Sequence, residues 1–125
     1  MKEIDIVRMD ADRRRETLGE ATILKKLKHP NIIKFKEVYK TKSGKLNIVM
    51  DYCDDGDLSD KIKERFKNAE FMSEDELLAK FTQIAIAIKY CHDHKIIHRD
   101  LKGQNIFCTT SGILKLGDFG IAKVL

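Results

Sequence analysis

Apolar residues recur along this chain with two different periods, and the alternation between the periods sketches its elements. Lys2 to Val7 alternates, with Ile4 and Ile6 on the same side as Lys2, as in a short strand. From about Asp10 to Lys28 the period lengthens. Leu18, Ala21, Leu24 and Leu27 fall at helical spacing, with Arg13, Arg14 and Arg15 on the more solvated turns. Gly19 weakens this helix by about 1 kcal/mol relative to alanine. His29-Pro30-Asn31 ends it, because the residue before a proline is pushed out of the helical region. Ile32 to Tyr39 and Leu46 to Met50 are apolar-rich runs separated by the turn residues Lys42-Ser43-Gly44, which predicts an antiparallel hairpin. Asp54-Asp55-Gly56-Asp57 closes this block.

Leu58, Ile62 and Phe66 then lie one turn apart on a short helix. Ser73 and Glu76 match the capping box that opens a helix, and Leu77, Phe81, Ile84, Ala85 and Ile88 continue it as an apolar stripe to about His94. Ile96-Ile97, a polar loop, and a second hairpin follow, the hairpin pairing Asn105–Cys108 with Ile113–Leu116 around Ser111-Gly112. A strand, a helix and a hairpin precede Asp51, whereas helices and polar loops follow it. That order predicts two packed units joined near Asp51-Tyr52-Cys53.

The 125 residues suit one domain at most. With 42% hydrophobic and 35% charged residues and no low-complexity tract, the chain is globular. Its net charge of +4 is spread along the chain instead of gathered in a basic patch, which argues against dedicated nucleic-acid binding. Cys53, Cys91 and Cys108 are odd in number and widely spaced, so neither a disulfide framework nor a zinc site is indicated, and a reducing compartment fits. The apolar runs fall far short of the roughly 20 residues that span a bilayer, so no membrane insertion is expected. His92 and His94 are read as cations at a helix C-terminus, and the arginine run at 13–15 as a solvated face.

The chemistry concentrates in two linked motifs. His98-Arg99-Asp100-Leu101-Lys102-Gly103-Gln104-Asn105 fits H-R-D-x-x-x-x-N, and Asp118-Phe119-Gly120 follows it. In phosphoryl transfer the protein places a hydroxyl in line with the γ-phosphorus and neutralises charge with metal ions. Asp100 is the candidate base. Asn105 and Asp118 offer the hard oxygens that Mg2+ prefers, and Lys102 can bring positive charge to the transferring group. Lys2 and Glu20 are a less specific pair. By themselves they are a surface lysine and a solvated glutamate; in a kinase context a strand lysine anchoring the α- and β-phosphates is held by a helix glutamate.

These residues resemble those of eukaryotic serine/threonine protein kinases. The runs H-P-N-I-I, I-V-M-D-Y-C-D-D-G-D-L, H-R-D-L-K-G-Q-N-I-F and L-G-D-F-G-I-A-K-V-L are most similar to the NIMA-related (never-in-mitosis-A-related) kinases. The resemblance implies an α+β, two-lobe protein kinase-like fold: residues 1–50 a remnant of the small lobe with its antiparallel sheet and C-helix, 51–57 the hinge region, and 58–125 the first part of a mainly α second lobe. It implies a protein serine/threonine kinase that uses ATP and Mg2+, acts on proteins bearing Ser or Thr, and answers to regulatory protein partners. By family analogy it works in the cytoplasm, at the cytoskeleton, centrosome or cilium. Lys2 and Glu20 then form the lysine–glutamate pair. Met50 matches the gatekeeper, Asp51 to Cys53 the adenine-facing hinge, Asp57 a ribose contact, and Phe107 the floor under the base. Leu24, Phe35, His98 and Phe119 match the stacked spine, and Arg99 beside Asp100 implies control by a phosphorylated activation loop, because an arginine there can pair with phosphate.

The chain departs from that pattern at both ends. No G-x-G-x-x-G precedes Lys2 and no A-P-E follows Leu125, so the chain reads as the middle of a kinase domain. Two other readings follow from the departures: a catalytically inactive, kinase-like interaction module, and a chain that folds poorly without the helices that pack on the Ser73 helix.

Overall fold

The computed structural model describes residues 2–5, 11–119 and 122–125; the side chains of 2–5, Arg13, Arg14, Glu16, Thr17 and Glu20 lie outside that description. The described elements are β1 (Lys2–Asp5), α1 (Ala11–Lys26), β2 (Phe35–Lys40), β3 (Lys45–Met50), α2 (Leu58–Lys67), α3 (Glu74–Asp93), β4 (Ile96–Ile97), a 3-10 turn (Gly103–Asn105), β5 (Ile106–Cys108), β6 (Leu114–Leu116) and β7 (Lys123–Val124). They divide into two compact units, one comprising 1–28 and 34–52, the other 29–33 and 53–125.

The first unit is a small antiparallel sheet in the order β1-β3-β2, with α1 against β2. Lys2 pairs with Ile48 and Ile4 with Leu46, while β2 pairs with β3 from Phe35↔Met50 to Lys40↔Leu46, with a register shift between Phe35 and Glu37. Gly44 turns the hairpin with a φ of 86°, a left-handed conformation that costs glycine nothing. Ala21, Leu27, Leu46 and Ile48 are buried here. Lys25 lies over the Phe35 ring, 5.7 Å from its centroid. The Gly19 position is open, so its cost to the helix is conformational and not steric.

Residues 32–34 do not extend β2 as the apolar run predicts. Ile32 instead forms a parallel bridge with Leu116, Ile33 N–H donates to the Leu116 carbonyl (2.9 Å), and Leu116 N–H donates to the Asn31 carbonyl (2.8 Å). The short segment 29–33 thus gives its backbone bonds to the second unit, where burial of Ile32 and Ile33 rewards them.

In the second unit, local chemistry starts both helices. Asp57 caps α2 by accepting Asp60 N–H at 2.9 Å, and Ser73 caps α3 by accepting Glu76 N–H at 3.2 Å. The reciprocal half of the capping box is not made. Glu76 takes a forked pair of bonds from Arg65 instead (2.9 and 2.5 Å), because two charge-assisted bonds outweigh one backbone amide. Helix α3 also departs from the expected stripe. It buries Ala87 and Cys91, facing β4 and β6, whereas Leu77 and Phe81 are 57% and 66% exposed. Small residues sit where the helix backbone comes close to strands, and the larger residues lie on its other flank.

Strand β4 pairs with β7 (Ile96↔Val124), a pairing the sequence pattern does not announce, and β5 pairs with β6 as the second hairpin predicts. Among the described residues no helix is long and apolar enough to cross a membrane.

Candidate functional site

The loop from β4 to β5 carries His98, Asp100, Lys102 and Asn105, and Asp100 is bonded or paired to each of the other three. Asn105 is buried, and its Nδ2 donates both to the Asp100 carbonyl (2.8 Å) and to Asp100 Oδ2 (3.0 Å). Lys102 Nζ stands 3.5 Å from the other carboxylate oxygen, Oδ1. The Asp100 side chain nevertheless keeps 35% of its exposure, so a hydroxyl from outside can reach it.

His98 fixes the floor of this loop. Its Nδ1 accepts Asp100 N–H at 3.1 Å, so Nε2 is the nitrogen that carries the proton, donated to the Gly117 carbonyl at 2.7 Å. The buried imidazole therefore joins Asp100 directly to the residue before Asp118. Gly117 N–H in turn donates to the Asn105 carbonyl (2.8 Å), which ties the other end of the β5–β6 hairpin to the loop. Phe119 is buried edge-on against His98, with ring centroids 4.8 Å apart, while Asp118 is exposed.

Two residues here hold left-handed backbone without being glycine: Arg99 at φ 69° and Asp118 at φ 52°. Such conformations cost about 1–3 kcal/mol each and persist where the surroundings over-determine them. The hydrogen bonds through His98 and Asn105 supply that constraint on both sides of the site.

Gly117 is a site residue that the motifs do not flag. A Cβ on it would lie 2.6 Å from Phe107 Cε2, 2.9 Å from Cδ2 and 3.2 Å from Ile33 Cγ1. Only glycine lets the Phe107 ring lie against the backbone there. The sequence signal was the Leu116-Gly117-Asp118 run, but the cross-strand ring that makes glycine necessary is visible only in three dimensions.

Of the other candidate residues, Cys53, Asp57 and Phe107 belong to the same unit as this cluster, and Lys2, Glu20, Met50 and Asp51 to the first unit. Asp57 spends one carboxylate oxygen on capping α2 and forms an isolated bridge with Phe107. Cys53 is half-buried at the start of the second unit. In the first unit, Met50 ends β3 opposite Phe35; Asp51 N–H donates to the Lys34 carbonyl (2.9 Å), and its carboxylate pairs with Lys36 at 3.4 Å. The backbone of Lys2 lies on β1 and that of Glu20 on α1, but a Lys2–Glu20 side-chain pair lies outside the described residues. Leu24 is half-buried on α1.

The donor chemistry suits Mg2+. Asn105 commits its Nδ2 hydrogens to Asp100, which leaves Oδ1 as the amide's ligand atom, and Asp118 offers an exposed carboxylate. Hard oxygens in so small a number match an ion that takes its remaining ligands from phosphates and water. Among the described residues no group of three or more His, Cys, Asp or Glu side chains is placed to hold a metal. The buried thiols are unreactive by environment: burial pushes Cys91 up to about 11 and raises Cys108 as well.

A family model described as the protein kinase domain matches residues 1–125. The chain is 50% identical over 125 residues to serine/threonine-protein kinase Nek1 of Mus musculus, covering 100% of this chain and 10% of that protein. It is 44% identical over 126 residues to Nek5 of Homo sapiens (100% and 17%), and 36% identical over 130 residues to human Nek2 (99% and 29%). The chain thus spans less than a third of the length of these curated relatives. The chain belongs to the protein kinase family, and the three relatives just named are NIMA-related serine/threonine members of it.

Proposed function

We propose that the protein transfers the γ-phosphoryl group of Mg-ATP to Ser or Thr hydroxyls of other proteins, with the chemistry centred on Asp100. The observation that carries this reading is the Asp100–Asn105–Lys102 cluster: a partly exposed carboxylate held by Asn105 on one oxygen and faced by Lys102 on the other. Asp100 orients the incoming hydroxyl and accepts its proton as the oxygen attacks phosphorus. Lys102 lies close enough to shift its charge from Asp100 to the transferring phosphoryl group. Magnesium, when bound, neutralises phosphate charge and aligns the leaving group; Asn105 Oδ1 and the Asp118 carboxylate are the atoms that would hold it.

In the same reading, Lys2 anchors the α- and β-phosphates with Glu20 as its partner, and Met50, Asp51 and Cys53 border adenine. Phe107 forms the floor beneath the base and Asp57 meets the ribose. Residues 1–50, 51–57 and 58–125 act as small-lobe remnant, hinge region and start of the large lobe. Kinship with Nek proteins supports a cytoplasmic site of action at the cytoskeleton, centrosome or cilium, with regulatory protein partners; imaging of a tagged protein tests this.

The decisive experiment is Asp100→Asn in a version extended to a complete kinase domain. Phosphorylation of a Ser/Thr substrate is expected to disappear while Mg-ATP binding persists; retained turnover sinks the assignment. Calorimetric titration of the 125-residue chain with Mg-ATP tests the same reading closer to home. Absence of binding there favours an inactive kinase-like interaction module.

A further inference from the structure

The hairpin β5–β6 begins directly after Asn105 and ends directly before Gly117-Asp118, so whatever fixes the hairpin fixes the spacing of the two candidate magnesium ligands. Its outer strand, β6, is held by a polar cluster remote from both motifs. Gln83, on α3, accepts Leu114 N–H through Oε1 at 2.8 Å and accepts Asn31 Nδ2 through the same oxygen at 3.0 Å. Asn31 Nδ2 also donates to the Leu114 carbonyl at 2.9 Å, and Gln83 Nε2 donates to the Gly112 carbonyl at 3.3 Å. Two main-chain bonds between segment 29–33 and Leu116 extend the grip along the strand.

We infer that Gln83, together with Asn31, is a positioning residue for the magnesium pair Asn105–Asp118, acting through β6; this rests on the kinase reading above. The logic is that of groups that orient metal ligands without touching the ion, whose loss commonly weakens metal binding by 10–100-fold. The cluster has a fixed polarity. Gln83 Oε1 accepts twice, from Leu114 and Asn31, so the carboxamide cannot flip without setting its own NH2 against two donors. Asn31, for its part, must present its NH2 side to two acceptors, Gln83 Oε1 and the Leu114 carbonyl.

That polarity yields a test with a built-in rescue. Gln83→Glu keeps the doubly accepting oxygen and gives up only the longest bond, to Gly112, where its second carboxylate oxygen would face the carbonyl at an exposed position that lets it turn to solvent. Gln83→Leu removes the acceptor, and Asn31→Asp turns a donor into a carboxylate facing two acceptors. Binding of ATP to the 125-residue chain is titrated with magnesium and, separately, in EDTA, and amide hydrogen exchange is followed at Leu114 and Leu116.

Gln83→Leu and Asn31→Asp are expected to lower the magnesium-dependent gain in affinity by at least about 10-fold, leave affinity in EDTA unchanged, and speed exchange at Leu114. Gln83→Glu is expected to behave like the unaltered chain. Native magnesium dependence in Gln83→Leu overturns the inference, as does a loss of equal size with and without metal, which marks a merely structural role. Failure of Gln83→Glu to rescue also overturns it. If the unaltered chain binds no Mg-ATP, the kinase reading fails first and the inference falls with it, an outcome distinct from all the others.

Discussion

The loop from His98 to Asn105 and the helix α3 lie in the same compact unit and are built on opposite terms. In the loop, polar side chains are buried: His98 is 6% exposed and Asn105 4%, each bonded through both of its hydrogen-bonding nitrogen positions or hydrogens. On α3, apolar side chains are exposed, Leu77, Leu78 and Phe81 among them. A buried imidazole or amide fits only where particular partners stand at particular distances, so the loop is specified by residue identity. An exposed leucine demands no particular neighbour, so that flank of the helix is specified by pattern alone. Changes of one atom in the loop should therefore outweigh changes of a whole side chain on the helix flank.

The most disruptive test is His98→Leu. It keeps volume and hydrophobicity but leaves Asp100 N–H and the Gly117 carbonyl without their partner, at about 1–3 kcal/mol for each buried group orphaned. Urea denaturation should register a total loss of about 2–6 kcal/mol on that basis. A loss below half a unit on the same scale would break the contrast.

Gly117→Ala comes next. The added methyl would overlap the Phe107 ring, and overpacking of this kind costs about 1–3 kcal/mol. Because the clash is with one ring, Phe107→Leu in the same chain should recover most of the loss. A strictly additive double mutant would mean the strain is taken up elsewhere.

On the other side of the comparison, Phe81→Ser removes a whole aromatic ring from a 66% exposed position. It should change stability by no more than about 0.5 kcal/mol, as surface substitutions usually do. A larger loss in the same denaturation experiment would show that α3's outer flank is covered in solution.

The same contrast explains what the sequence made legible. Local signals translated directly: Ser73 caps α3 through the amide three residues on, Gly44 and Gly112 turn their hairpins with positive φ, and Asp100 and Asn105 meet because five residues of loop suffice to close that bond. Signals requiring a distant partner did not. Nothing in Ile32 says that it will bridge Leu116 instead of extending a strand, and nothing in Lys123-Val124 says that so short a run will pair with Ile96-Ile97. The stripe Leu77-Phe81 was periodic, yet burial went to Ala87 and Cys91, since a helix close to strands needs small residues at the contact. The roles of Gly117 and Gln83 have no local signature for the same reason: their partners, Phe107, Leu114 and Asn31, are brought to them by tertiary structure.

The smallest effect belongs to a surface bond that lies between these extremes. Asp54 accepts Thr110 N–H at 3.0 Å and the Thr110 hydroxyl at 3.1 Å, joining the approach to α2 to the turn of the β5–β6 hairpin. The backbone bond first, and the hydroxyl second, hold its carboxyl below the usual value of 3.8. A depressed folded value means that the bond's contribution is fully present above 3.8 and is lost as pH falls through the lower, folded value. The Thr110 amide signal in NMR should therefore titrate with a midpoint below 3.8, whereas a midpoint at or above it would mean that the contact is not held in solution. Thr110→Val separates the two donors. It deletes the hydroxyl and spares the N–H, so the midpoint should move only part of the way back, because the larger of the two influences is a main-chain bond that no side-chain substitution removes.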